Sequence, residues 1–175
     1  VANAQNAYRY TVDLNKVVDD KIQVELLAPA IKTSTAVFAF PKIIPGTYSI
    51  SDYGKFISNV KAYTKSGKAL PVTKTGENQW RISSASALHR ITYEVEDIFD
   101  TKVKHNVYPM AATDFEAGKA FVLHTPGVFG FINGMNKLPF EIAVQKPAGF
   151  YGSTALIPEA TTAAQDVFRV SNLDV

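Results

Sequence analysis

The residues able to do chemistry in this 175-residue chain are few and scattered. Its histidines are His89, His105 and His124. A helical zinc site of the H-E-x-x-H type needs two histidines four apart, with a glutamate directly after the first. Here the histidines are followed by Arg90, Asn106 and Thr125, and no two are near neighbours in sequence. A histidine metal centre would have to be assembled through space, and a structural role suits each ring better. The chain has no cysteine, which excludes disulfides, thiolate metal sites and a cysteine nucleophile. It also lacks a G-x-S-x-G elbow, a phosphate-cradling G-x-x-x-x-G-K-[ST] loop and a G-x-G-x-x-G turn. Gly127, Gly130 and Gly134 are spaced wrongly for a dinucleotide loop.

Acidic residues gather at Glu94, Glu96, Asp97 and Asp100. Paired carboxylates could form a glycosidase acid and base or a calcium site. Glu94 and Glu96 fall on the outward phase of a strand, so solvated edge charges explain them better. Asp97 and Asp100 leave calcium open as an alternative. Lys55, Lys61, Lys65, Lys68 and Lys74 lie in a stretch, 53–74, with no acid. This reads either as a basic face for an acidic partner or, preferably, as a solvated hairpin.

The elements that must position these residues are strands. Tyr8, Tyr10, Val12 and Leu14 alternate with polar residues, as do Ile22, Val24 and Leu26, then Ile91, Tyr93 and Val95, then Phe140, Ile142 and Val144. Period-two alternation predicts half-buried antiparallel strands. Ala36–Phe40, Phe56–Thr64, Trp80–Ser83, Ala120–His124 and Val167–Val170 are further strands by their Val, Ile, Phe and Tyr content. Trp80 opens an apolar strand and is expected to be buried. Lys65-Ser66-Gly67-Lys68, Pro45-Gly46 and Thr75-Gly76-Glu77-Asn78 read as turns. Helical periodicity is almost absent, with one short turn expected at Asp114–Lys119. The stretch Ala148–Gln165 reads as a loop or weak hairpin. The expected fold is all-β, an antiparallel β-sandwich.

Composition agrees: 46% hydrophobic residues are enough for a core, and 175 residues suit one domain. A net charge of +2 gives no argument for nucleic acid or an anionic membrane. No apolar run reaches the roughly 18 residues of a membrane span. Ala2-Asn3-Ala4 resembles the end of an export signal, so residues 1–7 read as a leader remnant or disordered segment and 8–175 as one β-sandwich domain.

Two segments are not explained by scaffold alone. The first runs from Phe40 to Tyr53, with Pro41 and Pro45 four apart, a Pro45-Gly46 turn, then Tyr48 and Asp52. The second, Gly127 to Asn136, is apolar and glycine-rich with Asn133-Gly134 at its tip. Together they resemble the N-terminal domain of the glycyl aminopeptidase family of zinc metallopeptidases, within the gluzincin clan. That family shows Pro-x-Trp-x-Pro-Gly-Ser-Tyr followed by an acid and an aromatic. The chain has Pro41-Lys42-Ile43-Ile44-Pro45-Gly46-Thr47-Tyr48, then Asp52-Tyr53. The family's Asn-x-Trp-Arg-Val strand corresponds to Asn78-Gln79-Trp80-Arg81-Ile82, and its Phe-Phe-Asn-Gly-Thr loop to Phe131-Ile132-Asn133-Gly134-Met135. Ile43 in place of Trp and Met135 in place of Thr are departures.

The resemblance spans Tyr8 to Val175. It implies a fold similar to the N-terminal domains of gluzincin aminopeptidases. Catalytic residues and zinc are then expected in a following domain, outside this chain, with no cofactor here. Pro45, Gly46, Tyr48, Asp52, Asn133, Gly134 and Met135 become candidates for a substrate-cleft wall or a domain interface. The partners implied are the catalytic domain and its peptide substrate, and the location is export to a bacterial periplasm or cell surface. Val175 is read as falling at the catalytic-domain boundary. Two other readings compete. A carbohydrate- or cell-surface-binding module requires a coplanar row of exposed aromatics on one sheet face. A stand-alone hydrolase requires histidines and carboxylates converging in one pocket.

Overall fold

The computed structural model describes residues 6–172; Ala2-Asn3-Ala4 and Leu173-Asp174-Val175 lie outside the described residues. The strands are β1 (Tyr8–Asp13), β2 (Lys21–Leu27), β3 (Thr35–Ala39), β4 (Ile57–Tyr63), β5 (Ala69–Leu70), β6 (Val72–Gly76) and β7 (Gln79–Ser83). They continue with β8 (Arg90–Glu96), β9 (Asp114–Glu116), β10 (Ala120–Val122), β11 (Phe131–Ile132), β12 (Phe140–Gln145), β13 (Pro158–Thr161) and β14 (Gln165–Val170). One four-residue helix, α1 (Thr125–Val128), lies between β10 and β11.

Eight strands form the large sheet in the order β13-β14-β12-β1-β2-β8-β4-β5, and four form a second sheet in the order β11-β3-β7-β6. The alternation of the sequence orients both. Tyr8, Tyr10 and Val12 of β1, Ile22, Val24 and Leu26 of β2 and Ile91, Tyr93 and Val95 of β8 all point to the core. Phe38 and Trp80 answer from β3 and β7. The Phe38 ring lies 5.5 Å from that of Tyr93, so the inner faces of the two sheets meet in an aromatic layer. This is the expected sandwich, and Trp80 is buried in it.

Three tyrosine hydroxyls close the sandwich on the segment from the end of α1 to β11. Tyr10 donates to Gly130 O at 2.5 Å and Tyr93 to Val128 O at 2.7 Å. The Tyr8 hydroxyl accepts from Ile132 N at 2.9 Å. A buried aromatic hydroxyl needs such a partner, and each finds one on this backbone. Burial pushes the Tyr8 phenol up to about 12 and holds those of Tyr10 and Tyr93 well above their ordinary value, so all three stay neutral.

Two expectations are corrected. β1 is antiparallel to β2 but parallel to β12, with Tyr8 opposite Phe140 and Asp13 opposite Gln145. A long excursion through the second sheet separates these strands, so nothing local forces an antiparallel return. Asp114–Lys119 is no helix: it is β9 and the turn that leads into β10, closed by Lys119 N donating to Glu116 O at 2.9 Å. The helical turn forms instead at Thr125–Val128, where Pro126 supplies the preset φ of a first turn.

Candidate functional site

The loop that leaves β3 is built like a purse. Ser51 N and Asp52 N both donate to Lys42 O, at 2.9 and 3.0 Å, and draw its neck shut. Inside the loop, the Thr47 hydroxyl donates to Ile44 O at 3.0 Å across the Pro45-Gly46 turn. Tyr48 follows with φ 52°, in the left-handed region. Its side chain is 95% exposed.

Asp52 also has a left-handed backbone, φ 49°, and each of its carboxylate oxygens faces a partner. Oδ1 accepts from Asn78 Nδ2 at 2.9 Å, and Oδ2 faces Lys55 Nζ at 3.6 Å. The other end of the Asn78 amide accepts from Gly54 N at 2.8 Å. One side chain from the β6–β7 turn therefore locks the loop's exit through two hydrogen bonds.

A second loop, between β8 and β9, is tied to the first. Ser49 Oγ donates to Asn106 O at 3.2 Å and the buried Tyr53 hydroxyl to Ala111 O at 3.1 Å. The His105 ring packs edge-on to Phe56 at 5.4 Å. Asp97 braces this loop from inside: its carboxylate accepts from Phe115 N at 2.6 Å and Phe99 N at 2.9 Å. Desolvation raises its pKa despite these donors.

The two loops together carry most of the exposed large apolar side chains among the described residues. Ile43, Tyr48 and Ile50 stand on one, and Phe99, Tyr108 and Met110 on the other, Met110 being 91% exposed. Such a concentration on one cross-tied surface marks an interaction site more often than scattered exposure does.

Pro45, Gly46, Tyr48 and Asp52 thus share one loop. Asn133, Gly134 and Met135 lie elsewhere, in the turn after β11. Asn133 N donates to Val37 O of β3 at 2.9 Å, Gly134 has φ 81°, and the Met135 carbonyl faces the Tyr8 hydroxyl at 3.4 Å. The Asn-Gly pair here does what its left-handed turn requires. The sequence reading missed the partner loop. Its signal was Phe99, Val103, Tyr108 and Met110 in a stretch without strand alternation.

The histidines have separate local partners. His89 precedes β8 and donates its backbone N–H to Tyr63 O, while His105 Nδ1 accepts from Val107 N at 3.1 Å. His124 sits at the start of α1 with its ring 5.7 Å from that of Tyr53. Among the described residues, no group of three or more His, Asp or Glu side chains is placed to hold a metal. Glu94 accepts from Asn59 at 2.8 Å and Glu96 from Thr101 at 2.6 Å, so these acids brace local structure. Of the lysines, Lys74 pairs with Glu77 at 3.5 Å and lies over the Trp80 ring at 5.2 Å.

The His124 Nε2 is buried without a hydrogen-bond partner among the described residues. Desolvation lowers its pKa below the usual 6.5. The folded state therefore prefers the neutral ring, while the unfolded chain takes up a proton near 6.5. Its contribution to stability is full above pH 6.5 and falls away as the pH drops through that value. Thermal unfolding followed from pH 7.5 to 5 is expected to show this loss, and His124→Gln is expected to remove it.

Two shallow concavities lie away from these loops. One, of about 680 Å³, sits where β12 ends and β14 begins, and the other, of about 400 Å³, on the polar outer face of the large sheet. The most exposed rings, Tyr48, Phe99, Tyr108 and Tyr151, are on loops. A carbohydrate module would need them in a row on a sheet face. No helix of the described residues is long and apolar enough to cross a membrane.

Two facing sheets with a stiff apolar loop surface define a β-sandwich domain. The chain belongs to the Peptidase M61 N-terminal domain family, whose model matches residues 9–175. Its fold is that of an aminopeptidase N family protein from Idiomarina loihiensis, with a TM-score of 0.76 at 18% identity. That match covers 95% of this chain and 27% of the other, so the chain spans about a quarter of its relative's length. An M1 zinc metallopeptidase from Deinococcus radiodurans also aligns, at a TM-score of 0.46 and 10% identity, over 95% of this chain and 38% of that one. No curated protein matches the chain at a significant level.

Proposed function

We propose that residues 8–175 form the non-catalytic N-terminal domain of a zinc aminopeptidase of the glycyl aminopeptidase kind. The domain docks on its parent's catalytic domain, which holds the zinc and hydrolyses peptides, and walls part of the substrate cleft. One observation carries this reading: the exposed apolar side chains are gathered on two cross-tied, proline-stiffened loops. Membership of a peptidase N-terminal domain family supplies the occupant, a catalytic domain of the same polypeptide. Export of that parent to a bacterial periplasm or cell surface is part of the proposal and is motivated by Ala2-Asn3-Ala4.

The test uses the whole parent protein. Ile50→Glu with Met110→Glu places charges on the docking surface without touching the sandwich core. Peptidase activity is expected to fall at least about tenfold, since a desolvated unpaired charge costs more than about 1.4 kcal/mol. Hydrogen exchange at 43–50 and 106–110 is expected to rise in the same variant. A variant with unchanged activity and exchange, or a parent gene encoding no H-E-x-x-H downstream of Val175, overturns the reading.

A further inference from the structure

Within the docking reading, on which this step rests, we propose that His124 is an acid-operated latch on the docking surface: on taking up a proton its ring turns out of its packed place and frees the two apolar loops from each other. The geometry sets the ring behind both loops. It lies 5.7 Å from the ring of Tyr53, the fully buried first residue of the 3-10 turn Tyr53–Phe56. Tyr53 is the piece the two loops share. Its N–H donates to Pro41 O at the neck of the first, at 3.3 Å, and its hydroxyl to Ala111 O of the second, at 3.1 Å. Helix α1 packs on the same ring, since a Cβ on Gly127 would stand 3.2 Å from it. His124 leads directly into α1, and its carbonyl accepts from Gly127 N at 2.9 Å. A movement of His124 is therefore felt at Tyr53, and through Tyr53 at both loops.

The ring has a reason to move. Its buried Nε2 has no hydrogen-bond partner among the described residues, so an imidazolium here would bury an N–H with no acceptor. The titratable groups on the surrounding elements are Asp52, Tyr53 and Lys55 around the turn, Asp97 and His105 on the second loop, and Asp114 and Glu116 on β9. Asp52 and Lys55 face each other at 3.6 Å, Asp97 is held by two backbone amides, and Glu116 pairs with Lys119 at 3.0 Å. None of them steadies a charged ring: burial alone sets its lowered pKa. The residue is only half-buried, so rotation of its side chain brings Nε2 to water. The packed ring takes up its proton at a lower pH than a solvated one, so acid favours the turned-out ring and leaves Tyr53 without its neighbour.

The experiment is hydrogen exchange on the full parent protein, with rates corrected for the pH dependence of free amides. Between pH 7.5 and 5, protection at 43–50 and 106–110 is expected to fall about fivefold, while the amides of β1 and β2 keep theirs. His124→Phe holds an uncharged ring in the same place and is expected to abolish the fall. His124→Gln, polar and uncharged at every pH, is expected to do the same, so the result does not hang on how well one replacement fits. Flat protection in the wild type, or the same fall in both variants, overturns the latch. So does an equal loss across β1 and β2, which would be global unfolding by acid. The docking reading fails separately, at pH 7.5 with His124 neutral, if Ile50→Glu with Met110→Glu changes nothing.

Discussion

Gly54→Ala is expected to lower the stability of this domain by about 3 kcal/mol, near the top of the usual range for forced overpacking. A Cβ at this position would lie 2.3 Å from Glu77 O and 2.5 Å from Asn78 Cα. Both are backbone atoms, so no rotamer change relieves the clash. The 3-10 turn Tyr53–Phe56 must lift off the β6–β7 turn instead. With it go the Gly54 N–Asn78 Oδ1 bond and, through the same amide, the hold on Asp52. Tyr53, buried on Ala111 and against Gly127, is the next contact to suffer. For a domain of this size the loss corresponds to a melting temperature roughly 6–12 °C lower. Circular dichroism through a thermal ramp reads it directly. An unchanged midpoint would mean that the candidate loop is not anchored through Asn78.

The second large effect concerns the ion pair of Lys146 and Asp166. Lys146 Nζ lies 2.7 and 2.8 Å from the two carboxylate oxygens, and both side chains are 7% exposed. Burying two charges is costly, and their attraction with good geometry only about balances that cost. Removing one partner leaves the other charged, buried and alone. Lys146→Met is therefore expected to cost about 3–5 kcal/mol, whereas Lys146→Met combined with Asp166→Leu is expected to fall within about 1 kcal/mol of the wild type. Asp166 lies on β14 opposite Val144 of β12, and a Cβ on Gly152 would come within 2.7 Å of its Oδ2. The pair thus joins the last hairpin of the large sheet to the loop that covers it. Urea unfolding of the single and double variants checks the ordering, and equal losses in both would show that packing rather than charge sets the cost.

The strands were legible because one face of each is buried. Tyr8-Arg9-Tyr10 or Ile91-Thr92-Tyr93 cannot satisfy a core and water in any other register. Trp80 was legible for the same reason. β4 was harder, since Ile57 and Ala62 are both buried although five residues apart. An odd spacing puts them on opposite faces of a regular strand. The structure resolves this with a bulge between Ser58 and Lys61, where Asn59 takes φ 52°. The helical turn expected at Asp114–Lys119 is absent because a six-residue stretch is too short for any period to choose between a helical turn and a hairpin.

The candidate loop was half visible. Pro41, Pro45 and Gly46 announce a rigid bend, and Tyr48 with Asp52 announces something beyond it. Which of these side chains is free was not legible, because it depends on Asn78 and Lys55 occupying the Asp52 carboxylate. Nor was the contribution of Asn106 and Ala111, more than fifty residues away in sequence. Such contacts leave no local pattern.

The parallel pairing of β1 with β12 has a consequence during synthesis. β1 is made first and stands in the middle of the large sheet, yet the partner on one side comes roughly 130 residues later. At translation rates of about 5–20 residues per second, the side of β1 destined for β12 waits for something like 7–26 seconds. For that interval Tyr8, Tyr10 and Val12 line an unpaired edge on a nascent chain. The strand at the centre of the finished domain therefore keeps one edge open until β12 has been made.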